Sequence, residues 1–121
     1  MYLFSFEKLN VWSESMVLVK SIYETTKKFP DEEKYGLVSQ LRRASISISS
    51  NIAEGPSRNT AKDKSHFITI SFSSLMELLN QLIIAKELGY VPEEIFLEIR
   101  KQIEKVANML NALKKSQIKN P

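Results

Sequence analysis

An all-α chain, folded as one antiparallel up-down-up-down four-helix bundle over residues 1–121, is the fold class the sequence predicts. Three observations lead there. Apolar residues recur at helical spacing through four long segments, about 10–28, 35–54, 60–88 and 92–116. Pro30, Gly55-Pro56 and Gly89 punctuate those segments with residues that end helices. Glycine and proline are otherwise scarce, 3 and 4 in 121 residues, too few for a turn-rich sheet protein. A chain of this length buries a core as a single domain without staples.

In the first segment Trp12, Met16, Val19, Tyr23 and Thr26 make the stripe, widened by Leu18 and Ile22. Asn10 is the expected N-cap, and Lys27-Lys28 suit the negative end of the helix dipole. Trp12, on the apolar stripe, is expected in the core rather than as a stacking platform for bases. Pro30 closes the helix through Phe29, and Asp31-Glu32-Glu33 forms an acidic turn before the next one.

The second segment, 35–54, is rich in serine. Ser45-Ile46-Ser47-Ile48-Ser49 alternates like a half-buried strand, but Leu37, Leu41, Ala44, Ile48 and Ile52 form a helical stripe that covers more residues. The serines admit two readings: small residues that let helices approach closely, or a hydroxyl surface for phosphate and sugar. Asn51 and Glu54 suit a structural role at the helix end, where carbonyls need partners and Arg58 offers a charge.

Thr60 with Asp63 predicts a capping box opening the third segment, which stops at Gly89. Its apolar residues overflow one face. Phe67, Ile70, Ser74, Leu78, Leu82 and Ala85 make one stripe; Ile68, Phe72, Leu75, Leu79 and Ile83 make a second. So wide a girdle demands two partners, and the second stripe is expected to be an oligomer interface between copies of the chain. In the fourth segment, opened by Pro92-Glu93-Glu94, the positions Ile99, Ile103, Val106, Leu110 and Leu113 step as a heptad seam. From Lys114 to Pro121 the sequence reads as a fraying basic tail.

The net charge of +3 is mild, but its distribution is not. An up-down-up-down path gathers Arg58, Lys62, Lys64, Lys114, Lys115 and Lys119 at one pole and Glu87, Glu93 and Glu94 at the other. Dipole complementarity explains Glu93, Glu94, Lys114 and Lys115. It does not explain Lys62 and Lys64, cations in the first turns of a helix, and with Arg58 these are the foremost candidates for binding phosphate. Arg42 and Arg43 join them as candidates, each able instead to bridge to acids on a neighbouring helix. Consecutive positions on a helix diverge by about 100°, so one of the pair is expected to be structural and the other exposed.

Enzyme chemistry finds no foothold. No Ser-His-carboxylate set and no Gly-rich phosphate loop is discernible, so no catalytic residue and no cofactor is expected. His66 is the lone histidine and reads as an ordinary helix residue, so no metal site is expected, and the absence of cysteine removes thiolate ligands and disulfides. Exposed aromatics of the kind that single-strand binding requires are not evident. The opening Met1-Tyr2-Leu3-Phe4-Ser5-Phe6 lacks a signal peptide's basic start, and no run approaches the ~20 apolar residues of a membrane span. A cytoplasmic protein without membrane contact is the expectation.

Specific motifs add a resemblance. Gln40-Leu41-Arg42-Arg43-Ala44, then Ser50-Asn51-Ile52-Ala53-Glu54-Gly55 and Arg58, resemble the four-helix-bundle family of 23S rRNA intervening-sequence proteins. Phe6-Glu7-Lys8-Leu9 with Val11-Trp12, Glu33-Lys34-Tyr35-Gly36-Leu37, Glu77-Leu78, Gln81-Leu82 and Ala85-Lys86-Glu87-Leu88-Gly89-Tyr90 extend the likeness from about Phe6 to Leu113. Ser49 stands where the family commonly has proline, which predicts a straighter second helix; Ser73 replaces a common glycine, which argues against a very close crossing there.

The resemblance implies a bacterial protein, since family genes lie within rRNA intervening sequences of some bacteria. It also implies a homopentamer, because the related accessory proteins of diversity-generating retroelements form a pentameric barrel that binds nucleic acid and a reverse transcriptase. Two function classes follow: an oligomer binding structured RNA or DNA through its basic pole, or a structural adaptor that binds a protein partner and no nucleic acid.

Overall fold

The computed structural model describes residues 1–119, with side chains through Gln117. A 3-10 turn, Ser5–Lys8, leads into α1 (Asn10–Thr26); a second, Asp31–Glu33, precedes α2 (Leu37–Glu54). A third, Gly55–Ser57, joins α2 to α3 (Ala61–Glu87), and α4 (Glu93–Lys119) follows. The described residues contain four α-helices and no strand. Each helix packs on two neighbours, α1 and α3 both lying against α2 and α4, while neither diagonal pair comes within 8 Å between Cα atoms. Cross-helix bonds fix the directions. Ser71 pairs with Ile48 and Glu77 with Arg43, so α3 rises in number as α2 falls. Lys114 meets Thr69, and Lys86 meets Glu93, giving the same sense for α3 and α4.

Leu18, Ile22, Leu41, Ile48, Leu75, Leu78, Leu82, Ile103 and Leu110 fill the centre and are essentially inaccessible to water. Each such side chain contributes about 1.5–3 kcal/mol over leaving it exposed. The predicted stripes of α2 and α4 are the ones buried, with Leu37 and Leu113 packed at the margins.

The face of α1 differs from expectation. Val11, Ser15, Leu18, Ile22 and Thr26 point inward, while Trp12, Met16, Val19 and Tyr23 are half-buried at its edge. One residue of offset turns a helix by about 100°, and the smaller set wins because it lets α1 seat closely. Ser15 then bonds back to the Trp12 carbonyl at 2.6 Å, which removes the cost of burying its hydroxyl. Trp12 flanks the core, its ring edge-on to Phe6 at 5.2 Å.

Several helix limits also shift. Asn10 is the first helical residue and not the cap; Leu9 occupies that position without a side-chain bond, its side chain packed on the core. α1 stops at Thr26 because Phe29 turns back into the core beside Tyr90. α2 starts at Leu37, after Gly36, where a Cβ would stand 2.7 Å from Glu33 Oε1 and displace that carboxylate. That carboxylate accepts the Leu37 amide at 3.1 Å and, through its other oxygen, the Tyr90 hydroxyl at 3.2 Å. Desolvation first, then the hydrogen bond and negative charge of Glu33, hold the Tyr90 hydroxyl above its ordinary pKa. Thr60 caps α3 by accepting the Asp63 amide at 3.1 Å, and Gly89, at φ 84°, lets the chain leave α3 in the left-handed region. The basic tail expected from Lys114 is instead helical through Lys119, while Pro121 lies outside the described residues.

The largest correction concerns α3. Ile68 and Leu75, assigned to an interface between copies, are 4% and 0% exposed within this chain. Phe72 and Leu79 pack against the same core, and only Ile83, 37% exposed, lies outside it. The two stripes are flanks of one broad face, and the two partners that so wide a face demands are α2 and α4 of the same chain. By length and composition α3 is also apolar enough to cross a membrane, with mean hydropathy 1.5 over 18 residues, although polar residues interrupt its apolar run. A core helix of a bundle has the same composition, and this one buries Ser71 and Gln81.

Serine acts mainly in packing where α2 meets α3. Ser47 and Ser74 hydroxyls pair at 2.9 Å, and Ser71 donates to the Ile48 carbonyl at 3.0 Å. Ser45 is buried and bonds to the Arg42 carbonyl, whereas Ser39 and Ser50 are exposed.

Leu75→Ala is expected to cost about 2–5 kcal/mol in urea unfolding at any protein concentration, as large-to-small changes in a packed core do. Ile83→Ala should cost under about 1 kcal/mol in the isolated chain. Equal effects would contradict the assignment of Leu75 to the intrachain core.

Candidate nucleic-acid interface

The ends of α2 and α4 and the start of α3 meet at one pole, where the chain's first residues also lie. Gly55–Ser57 packs against both α3 and the Ser5–Lys8 turn. Lys114 Nζ reaches Thr69 Oγ1 at 3.0 Å, bringing the C-terminal third of α4 beside the first turns of α3. Thr69 stands about 10 Å along the helix axis from Lys62, at 1.5 Å rise per residue.

Arg58, Lys62, Lys64, Lys114 and Lys115 all belong to this pole, but they are not equivalent. Arg58 is occupied: its guanidinium meets Glu54 Oε1 at 2.8 Å and lies over the Phe67 ring at 4.6 Å from the centroid. That pair is about half exposed, so its worth is the fraction of a kcal/mol typical of surface ion pairs. Its effect is to seal the α2–α3 turn. Asn51, expected to help there, bonds instead to the Ser47 carbonyl at 2.8 Å. Lys62, Lys64 and Lys115 have no carboxylate within 4.0 Å among the described residues. Lys62 and Lys115 are exposed and Lys64 partly so. The side chain of Lys119, which the charge pattern adds to this pole, lies outside the described residues.

Arg42 and Arg43 belong elsewhere. Arg42 crosses to α1, donating to Thr26 Oγ1 at 2.9 Å and to the Tyr23 carbonyl at 3.4 Å, with its guanidinium over the Tyr23 ring at 4.4 Å. Arg43 crosses the other way, to Glu77 on α3 at 3.0 Å. Their divergence on the helix sends each to a different neighbour, so both are engaged and neither reaches the basic pole. Arg43 is the more exposed of the two.

The acidic pole is also partly neutralised. Lys86 pairs with Glu93 at 3.0 Å, leaving Glu87 and Glu94 in solvent. His66 is exposed, edge-on to Phe67, and no group of three His, Asp or Glu among the described residues could hold a metal.

One feature of this pole escaped the sequence reading. Tyr2 and Phe4 are 78% and 62% exposed, so exposed aromatics are present after all. The available signal was an apolar opening that precedes α1 and cannot share its stripe.

Arg42→Ala is expected to lower unfolding stability by about 1–2 kcal/mol, since it removes hydrogen bonds to a charged group between two helices. Lys62→Glu with Lys64→Glu should stay within about 0.5 kcal/mol per site, as surface changes do. Thermal or urea unfolding of the two variants checks both; the reverse order would exchange the structural and functional roles assigned to these residues.

Comparison with known proteins supplies the family. The family model described as 23S rRNA-intervening sequence protein matches residues 7–112. The chain is also similar to a crystal structure of a protein of unknown function from the S23 ribosomal protein family of Bacteroides thetaiotaomicron VPI-5482. That likeness has a TM-score of 0.80 at 21% identity and covers 87% of this chain and 95% of that one. At such identity it establishes the shared four-helix fold. Comparison with curated proteins gives no match. A bundle of this topology, matched over nearly its whole length by one family model, belongs to the family of 23S rRNA-intervening sequence proteins.

Proposed function

We propose that this chain is a non-enzymatic, homo-oligomeric module that holds structured RNA by its phosphates through the basic pole. The observation that carries the reading is charge without a partner: Lys62, Lys64 and Lys115 keep no carboxylate within 4.0 Å among the described residues. Two of those lysines sit in the first turns of α3, where a cation opposes the helix dipole. A stability argument does not account for them, and an anionic ligand does. The family's name refers to the intervening sequence of 23S rRNA, an RNA context in keeping with this reading. Phosphate contacts of this kind carry little sequence information and fit recognition by shape.

Oligomerisation rests on a smaller surface than the sequence suggested. Met76, Ile83 and Ile84 are exposed apolar residues that share the outer face of α3. Five copies, the number implied by the family resemblance, would set five basic poles around one axis and sum their fields. The same apolar face supports a second reading, an adaptor that binds a protein partner and no nucleic acid.

A labelled RNA hairpin and its DNA equivalent, titrated across a salt series, separate the two. The expected result is a steep loss of affinity with salt, of slope near the roughly −0.9 per neutralised phosphate of duplex DNA, and loss of binding in Lys62→Glu/Lys64→Glu. Negligible binding at low salt would sink the nucleic-acid reading and leave the adaptor. Light scattering at micromolar concentration is expected to give a multiple of the chain mass, reduced by Ile83→Glu/Ile84→Glu; a stable monomer would refute the oligomer.

A further inference from the structure

The basic pole carries a second kind of surface. Tyr2 and Phe4 project beside it with their rings edge-to-face, centroids 5.2 Å apart. The backbone of Phe4 is held there. The Phe4 amide donates to Glu7 Oε1 at 3.1 Å, its carbonyl accepts the Glu7 amide at 3.0 Å, and Phe6 anchors the next turn against Trp12. Apolar rings that gain nothing from the core and are held open to solvent are costly unless something covers them. Below them runs an open groove of about 330 Å³ lined by Phe4, Ser5, Phe6, Ser50, Glu54 and Ser57. Arg58 borders the groove through its ion pair with Glu54.

From this juxtaposition we infer that Tyr2 and Phe4 form a stacking platform for an unpaired base, in a loop or bulge of the RNA whose phosphates the lysines hold. The inference rests on the phosphate-binding reading and adds to it a preference for unpaired over fully duplex RNA. Rings stack on the faces of bases whatever their identity, and unstacked bases occur in loops and bulges. Below the rings, the hydroxyls of Ser5, Ser50 and Ser57 can meet a base edge or a ribose. Glu54 offers an acceptor to an exocyclic amino group, as carboxylates do toward cytosine. The groove's chemistry also argues against the other cover for exposed aromatics beside cations, an anionic lipid surface. Lipid chains over the rings would leave the hydroxyls of Ser5 and Ser50 without the partners that a base edge or a ribose offers.

The test compares the full chain with Tyr2→Ala/Phe4→Ala on two RNAs of equal phosphate count: a stem-loop with 2-aminopurine in its loop, and a blunt duplex. Both side chains lie outside the core, so unchanged thermal melting is the control for folding. The unsubstituted chain should bind the stem-loop more tightly and quench the 2-aminopurine. The variant should lose roughly 5- to 100-fold on the stem-loop, the span of one stacked base, with no quenching and with duplex affinity and salt slope retained. Duplex binding without loop preference or quenching would overturn the platform while sparing the phosphate reading. Binding to neither RNA would overturn both. Sedimentation with phosphatidylserine vesicles that the variant loses would assign the rings to a membrane surface and overturn the inference.

Discussion

Close contact between α2 and α3 is the constraint on which the rest of this bundle depends. Hydroxyl pairing between Ser47 and Ser74 and the bond from Ser71 to the Ile48 carbonyl let two backbones approach with these three serine hydroxyls satisfied. Each hydroxyl contributes little on its own. Together they fix the register, because a slip by one residue would separate every donor from its acceptor. That register brings Arg43 to Glu77, sets Arg58 over Phe67, and places the lysines of α3's first turns at the end of α2. α2 runs from Leu37 to Glu54 through Ser49, and the crossing near Ser73 is bridged by the neighbouring Ser74 hydroxyl.

The charges divide into two populations by the same logic. Arg42, Arg43 and Arg58 carry planar guanidiniums that bond in two directions, and each ties a pair of elements together. Lysines behave less uniformly. Lys86 and Lys105 pair with Glu93 and Glu14, whereas Lys62, Lys64 and Lys115 stay in solvent at one pole. Arginine as cross-link and lysine as surface field is an economical division, because a single point charge on a flexible stem meets phosphate well but orders a helix interface poorly. The pole reads as a diffuse electrostatic surface, bordered by aromatic rings on one side.

At 21% identity the solved S23 relative preserves the path of the chain, a measure of how permissive the bundle is. Four stripes of aliphatic residues at the right period suffice for the fold.

The sequence by itself determined the four helices, their order, the seams of α2 and α4, and the cap and stop of α3 at Thr60 and Gly89. Those features depend on local spacing and backbone geometry, which travel with the chain. The residues of the basic pole were also legible, because alternating helix directions bring sequence-distant charges to one end. Only the tertiary structure decided which face each helix turns inward. α1 is rotated within the expected stripe, so that Val11 and Ser15 join Leu18, Ile22 and Thr26 inside while Trp12 and Met16 stay half-buried at the edge. The two stripes of α3 merged into one intrachain face because α2 and α4 supply both partners. The roles of Arg42 and Arg43 were settled by contacts between residues far apart in the chain, and the exposure of Tyr2 and Phe4 by how the turn before α1 lies against the end of α2. Those contacts separate the charges that tie elements together from those with no carboxylate partner among the described residues.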